Sequence, residues 1–239
     1  MSGRFVFNSS FRLSSMHRLP YLDYHYQTPD RPVTLLSRLL PSIQFYYQLI
    51  TIVYQSSKVA ERGEYQDKNW IQSSLEVIQR LEQAGVKMDI SGVDNIERQN
   101  GPVVFIGNHM SMMETMVLPA IIQPVCPVTF VVKESLLAYP FFKHIMQSRN
   151  PVAVSRTNPR QDLKVVMTEG IERLRSGISV IVFPQTTRSH SFHPEQMSSI
   201  GVKLAKKAEV PVIPVALKTD ARQNGVWIKD FGSLDTSKT

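Results

Sequence analysis

The sequence predicts an α/β fold, a central mostly parallel or mixed sheet covered by helices, with an N-terminal helical appendage. Three observations predict it. Beyond Gly101 short apolar runs alternate with helix-patterned stretches, the order that builds a helix-covered sheet. The chain has 239 residues, 42% of them hydrophobic, which suits one α/β domain with a sizeable core. Between residues 35 and 85 the apolar pattern is helical instead.

Residues 1–34 mix arginines, serines, aromatics and prolines and read as an irregular arm. Residues 39–57 then run for 19 positions without a charge, between Arg38 and Lys58. That length just suits a membrane span, but Pro41, Gln44, Gln48, Thr51 and Gln55 dilute it. Ile43, Tyr46, Tyr47, Ile50 and Tyr54 recur at helical spacing, which favours an amphipathic helix lying in a membrane interface. A packed core helix and a true span are the alternatives. A second helix is expected over 69–84, with Trp70, Leu75, Ile78 and Leu81 as its apolar positions and Gly85 as its stop. Strands are expected over 103–106, 128–132, 152–154, 178–183 and 212–217. Helices are expected over 111–122, 136–147, 159–176 and 195–208. Asn158-Pro159 opens the third of these, with proline at the first helical position, and Gly177 closes it. The organisation is thus an arm over 1–34, a helical membrane-associating segment over 35–85, and an α/β domain over 86–239.

The run Ile-Gly-Asn-His-Met-Ser-Met-Met-Glu, residues 106–114, holds the most informative pair. His109 follows a strand end and Glu114 lies in the first turn of the next helix. An imidazole oriented by a carboxylate can take a proton from a hydroxyl near neutral pH. Five positions along a continuous helix differ by about 140°, so the two meet only if His109 lies in the loop and Glu114 reaches back. Ser111-Met-Met-Glu114 also fits a capping box, a purely structural use of the acid. The pattern alone leaves both readings open.

Further segments give the pair a context. Lys133-Glu-Ser-Leu-Leu-Ala-Tyr-Pro140, Phe183-Pro-Gln-Thr-Thr-Arg-Ser189 and Val210-Pro-Val-Ile-Pro-Val215 follow Asn108-His109-x4-Glu114 in that order. Together the four blocks resemble the glycerolipid acyltransferase family typified by the bacterial lysophosphatidic acid acyltransferases. That family carries N-H-x4-D, K-x-E-L-x-x-x-P, F-P-E-G-T-R-S and V-P-V-I-P-V blocks in the same order. The resemblance covers roughly residues 85–230. This chain departs from the pattern at Glu114 for Asp, Ser135 for Glu, and Gln185-Thr186 for Glu-Gly. Glu114 keeps the charge on one more methylene. Thr186 gives up a glycine's freedom of backbone approach.

The resemblance implies a glycerol-3-phosphate acyltransferase-like fold, shortened at its C-terminus, in which the N-terminal helices dip into the bilayer. It implies transfer of a fatty acyl group to a lysophospholipid hydroxyl, with 1-acylglycerol-3-phosphate as the expected acceptor, from acyl-CoA or an acyl carrier protein. His109 would be the general base and Glu114 its orienting carboxylate. Arg188 would hold acceptor phosphate through its donor fork, helped by Thr187, Ser189 and Thr186. Gln185 could bond a glycerol oxygen, Asn108 could support the loop, and Lys133 and Arg156 stand where the family carries basic residues. Leu136, Leu137, Phe141, Phe142 and Ile145 would line an acyl tunnel or belong to the core. A lysolipid hydrolase using the same dyad and a non-catalytic membrane-binding scaffold are the other readings.

Charge agrees with a membrane partner. The net charge is +7 and the pI about 9.5, which favours an anionic surface. With no zinc-finger spacing, aromatic RNA-binding motif or long basic run, a phospholipid surface fits better than nucleic acid. Peripheral or monotopic association on the cytoplasmic face is expected. The single cysteine, Cys126, makes neither an internal disulfide nor a cysteine metal site. Neither a metal nor a cofactor beyond the acyl co-substrate is expected.

Overall fold

A computed structural model of the chain describes residues 18–30, 33, 35–185, 187–225 and 230–238. The described elements run β1 (Tyr26–Gln27), α1 (Leu35–Leu39), α2 (Pro41–Glu61), α3 (Asp67–Gln83), β2 (Asp89–Ile90), α4 (Asp94–Glu97), β3 (Val104–Gly107), α5 (Met113–Ile122), β4 (Val128–Lys133), α6 (Lys143–Ser148), β5 (Val152–Val154), α7 (Pro159–Arg175), β6 (Ser179–Val182), α8 (Ile200–Ala208) and β7 (Val212–Val215). The main sheet has five strands in the order β5-β4-β6-β3-β7. Every pairing in it is parallel. Pro214 fits β7 because an edge strand can spare an N–H.

The strands read as unbroken apolar runs because both faces of the sheet are covered. Alternate side chains enter different cores. Phe105, Phe130 and Ile181 join Phe45, Ile71, Ile78 and Ile122 on the side of α2, α3 and α5. Val104, Val180 and Val182 join Val166, Leu174 and Leu204 on the side of α7 and α8. Gly201 allows α8 to lie flat on this second face, since a Cβ there would sit 2.8 Å from Ile106 Cδ1.

All five expected strands occur, with β6 and β7 shorter than the patterns suggested. The helix expected over 159–176 begins on Asn158, whose side chain accepts from the Gln161 amide, and Pro159 is its first residue. Two expected helices are corrected. The stretch 136–147 splits into a 3₁₀ turn over Glu134–Ala138 and the short α6. Pro140 divides them, since a proline drives the residue before it into extended backbone, and Tyr139 has ψ 127°. The helix expected from 195 begins only at Ile200, after a 3₁₀ turn over Pro194–Gln196. Sequence reading also missed the small antiparallel pair of β1 and β2, which fastens part of the N-terminal segment beside α3 through Tyr26 Oη donating to Glu82 at 2.6 Å.

The N-terminal helices share the main core. Helix α3 packs on α5, and α2 packs on α3 and α6. Phe45, Leu49, Ile52 and Val53 form the buried face of α2. Its other face is also apolar: Ile43 is 65% exposed, Tyr47 75%, Ile50 55% and Tyr54 50%. Tyr46 leaves this stripe to donate from its hydroxyl to the Gly232 carbonyl at 2.6 Å. Among the described residues no helix is long and apolar enough to cross a membrane.

Candidate active site

The parallel strands present all their carboxyl ends at one edge, where open α/β sheets place their sites. Loops leaving β3, β6 and β7 meet there. Gly107 ends β3 where a Cβ would lie 3.3 Å from the Val215 carbonyl oxygen. Asn108 then extends the pairing with a side chain: its Nδ2 donates to the Leu217 carbonyl at 2.7 Å, and its Oδ1 accepts from the Leu217 amide at 2.8 Å. The loop-supporting amide expected at Asn108 is thus a clamp between β3 and the segment after β7.

His109 is the next residue. Its Nδ1 lies 3.0 Å from Glu114 Oε2. The imidazole is 13% exposed and the carboxylate 0%. A carboxylate only accepts hydrogen bonds, so in this contact Nδ1 is the donor. The ring stacks on Phe183, centroids 4.4 Å apart and planes 12° from parallel. Phe183 in turn stacks on Phe130, which meets Trp70 edge-on. The imidazole plane is therefore fixed by a row of rings reaching into the core.

Glu114 reaches back from the first turn of α5, as the spacing requires. Its Oε1 accepts from the Ser111 amide at 2.8 Å and the Met110 amide at 3.2 Å. Its Oε2 accepts from the Ser111 amide at 3.1 Å. The Ser111 hydroxyl accepts from the Met113 amide at 3.1 Å. The capping arrangement and the contact with His109 coexist on one carboxylate. The Thr219 hydroxyl also donates to Oε1. Sequence reading gave Thr219 no role, and a lone threonine beyond the last strand carries no signal that could have found it.

The β6 loop closes over the same point. Gln185 is buried, and its Oε1 accepts from the His109 amide. The Ser189 amide donates to the His109 carbonyl at 2.9 Å. The Ser189 hydroxyl donates to the Ser191 carbonyl at 2.9 Å. Gln185 and Ser189 therefore hold the histidine's backbone from both sides. Thr187 is exposed, and Thr186 lies outside the described residues. Arg188 is a quarter exposed and pairs with Asp230, Nη1 to Oδ1 at 2.6 Å. Lys133 ends β4, one strand from β6, and Arg156 follows β5, two strands away. Both are exposed at the carboxyl edge. His190 has Nε2 3.3 Å from Asn224 Nδ2, and that amide donates to the Met110 carbonyl at 3.0 Å.

A model of the family described as "Acyltransferase" matches residues 87–218, more than half of the chain. The chain belongs to the acyltransferase family. Among curated relatives, it is 31% identical over 149 residues to the 1-acyl-sn-glycerol-3-phosphate acyltransferase of Pseudomonas aeruginosa, covering 62% of this chain and 55% of that protein. It is 28% identical over 148 residues to the enzyme of the same name from Borreliella burgdorferi, covering 62% and 56%. The chain thus spans about half the length of these curated relatives. Among solved structures, the 1-acyl-sn-glycerophosphate (LPA) acyltransferase PlsC from Thermotoga maritima superposes with a TM-score of 0.50 at 26% identity, over 74% of this chain and 72% of that one. The helix-flanked parallel sheet is the acyltransferase fold of that structure.

Within this acyltransferase chain the family match takes in His109, Glu114, Lys133, Arg156, Gln185, Arg188 and Ser189. Thr219 and Asp230 lie just beyond it. The thiol of Cys126 stands apart from the site, near the amino ends of the strands: burial pushes it up to about 11, which leaves it a poor nucleophile at neutral pH. Among the described residues no cluster of histidine, cysteine and carboxylate side chains could hold a metal ion.

The stripe expected to line an acyl tunnel is divided. Ile145 is buried, and Leu137 and Phe142 pack against the core. Leu136 and Phe141 face outward, Phe141 with a left-handed φ of 67°.

Proposed function

We propose that this protein is an O-acyltransferase that moves a fatty acyl group from a thioester, acyl-CoA or acyl carrier protein, to the free hydroxyl of a lysophospholipid. The acceptor is 1-acylglycerol-3-phosphate and the product phosphatidic acid. The observation that carries the reading is the His109–Glu114 contact at the carboxyl edge, with Nδ1 committed to the carboxylate and Nε2 free. The names of the curated relatives support the acceptor.

In this mechanism Nε2 takes the hydroxyl proton as the oxygen attacks the thioester carbonyl carbon. The tetrahedral intermediate collapses by breaking the carbon–sulfur bond. The thiolate takes the proton back from Nε2, giving an ester and a free thiol. Glu114 balances the charge of the transient imidazolium, a role carboxylates fill in other dyads. The test is an assay of purified protein with a panel of lysolipids and one acyl-CoA. Diacyl product from 1-acylglycerol-3-phosphate is expected. Free fatty acid without diacyl product would assign the dyad to water and make the protein a hydrolase.

Arg188 is assigned to the acceptor phosphate. Its bond to Asp230 keeps the guanidinium neutralised until a phosphate takes over. A hydrogen bond to a charged group is worth about 1.5–3 kcal/mol, so Arg188→Ala should raise the acceptor KM at least about tenfold and leave the acyl-CoA KM near its original value. The reverse pattern would move Arg188 to the donor.

Residues of α2 are assigned to one leaflet of a phospholipid membrane. The support is the exposed stripe of Ile43, Tyr47, Ile50 and Tyr54, opposite a face already used by the core. Tyrosine suits this depth because its ring is apolar and its hydroxyl wet. Burying a large aliphatic side chain gains about 1.5–3 kcal/mol, so Ile50→Ser should weaken co-sedimentation with phosphatidylglycerol-containing vesicles by about tenfold or more. Unchanged vesicle binding would detach α2 from the membrane.

A further inference from the structure

We propose that Thr219 is a positioning residue for acyl transfer, acting on His109 through Glu114. The inference rests on the reading of His109 as base and Glu114 as its orienting carboxylate. It concerns a loop residue beyond the last strand of the sheet.

The geometry is a directed chain of hydroxyls. The Met113 amide, in the first turn of α5, donates to Ser111 Oγ at 3.1 Å. Ser111 Oγ donates to Thr219 Oγ1 at 3.1 Å. Thr219 Oγ1 donates to Glu114 Oε1. The carboxylate at the end can only accept, so each hydroxyl has one available direction. Chains aligned in this way polarise one another. Ser111 and Glu114 are fully buried, and little water competes for these bonds.

The chain decides which carboxylate oxygen serves the histidine. Oε1 takes Met110 N, the shorter Ser111 N contact and Thr219 Oγ1, and Oε2 takes Nδ1 and the longer Ser111 N contact. The two amides come from the turn that Glu114 itself caps, so they fix the carboxylate relative to its own helix. Among the described residues it is Thr219 that ties it to the segment after β7, more than 100 residues away in sequence. That segment is itself fastened to β3 by Asn108. The hydroxyl of Thr219 therefore fixes the carboxylate plane, and with it the imidazole, relative to the sheet edge. No atom of Thr219 needs to meet the substrate.

The test compares Thr219→Val, which keeps the shape and loses the hydroxyl, with Thr219→Ser, which keeps the hydroxyl. Thr219→Val is expected to lower kcat about tenfold with both KM values near wild type, and Thr219→Ser to restore most of it. The Nδ1–H proton resonance of His109 should move in Thr219→Val and return in Thr219→Ser. Unchanged kcat in Thr219→Val, a loss that serine does not rescue, or a rise in KM in place of the loss in kcat would each overturn the inference. If Thr219→Val does not fold, Thr219→Cys replaces it, and kcat must then fall in the order Thr, Ser, Cys. A loss of turnover in His109→Ala alongside a fully active Thr219→Val would overturn only the role of Thr219. Full turnover in His109→Ala would overturn the base reading beneath it.

Discussion

His109→Ala is expected to cut turnover about 10²–10⁴-fold, the usual cost of removing a general base, while the protein stays folded. The ring is held by two contacts whose loss the fold can bear. One is the stack on Phe183, of a kind worth about 0.5–1.5 kcal/mol. The other is the bond to Glu114, whose carboxylate keeps its contacts with two amides and the Thr219 hydroxyl. Steady-state kinetics beside thermal unfolding followed by circular dichroism reads both effects. A folded variant with most of its turnover would remove His109 from the chemistry.

Glu114→Gln should lose nearly as much rate for a different reason. The new amide has one acceptor and one donor end. If its nitrogen took the place of Oε1 it would face three donors: Met110 N, Ser111 N and Thr219 Oγ1. In the place of Oε2 it faces Nδ1 and the longer of the two Ser111 contacts. The second orientation therefore wins, and the amide then donates toward Nδ1. The imidazole responds by carrying its proton on Nε2, the tautomer that cannot act as base. An analogous change in a serine-protease triad costs about 10⁴ in kcat, and a loss of about 10²–10⁴ is expected here. Stability should fall by about 1–3 kcal/mol, the cost of one poorly satisfied buried group. Near-normal kcat in a folded Glu114→Gln protein would end the orienting role and leave Glu114 as a helix cap.

Much of this is legible in the sequence. The strands announce themselves because each is short and apolar, and all but the edge strand β7 are largely buried; the histidine and acid stand where a strand-to-helix turn must lie. Other parts depend on three-dimensional neighbours. Gln185 reads as a polar residue facing substrate, yet the nearest unmet partner is the His109 amide, and the side chain turns inward to take it. Arg188 reads as a guanidinium for acceptor phosphate, and its partner in the fold, Asp230, lies 42 positions further on. Within the helix expected over 136–147 the apolar pattern conceals a break that Pro140 enforces. For α2 the pattern carried two meanings at once, because one face belongs to the core and the other is exposed.

The strand order carries a consequence for how the molecule is made. β3 and β4 are consecutive in the chain, yet β6 lies between them and pairs with both. During synthesis from the N-terminus, β3 emerges with neither neighbour, and β4 has only β5 to join. The facing edges of β3 and β4 then wait unpaired until Ser179–Val182 leaves the ribosome and slots into the gap. Long-range parallel pairing of this kind is slow and exposes sticky edges. The nascent protein therefore passes through a stage with an open seam in its sheet, the stage at which a chaperone has most to protect. A chain stopped short of β6 has β3 and the β4–β5 pair with no strand to join them.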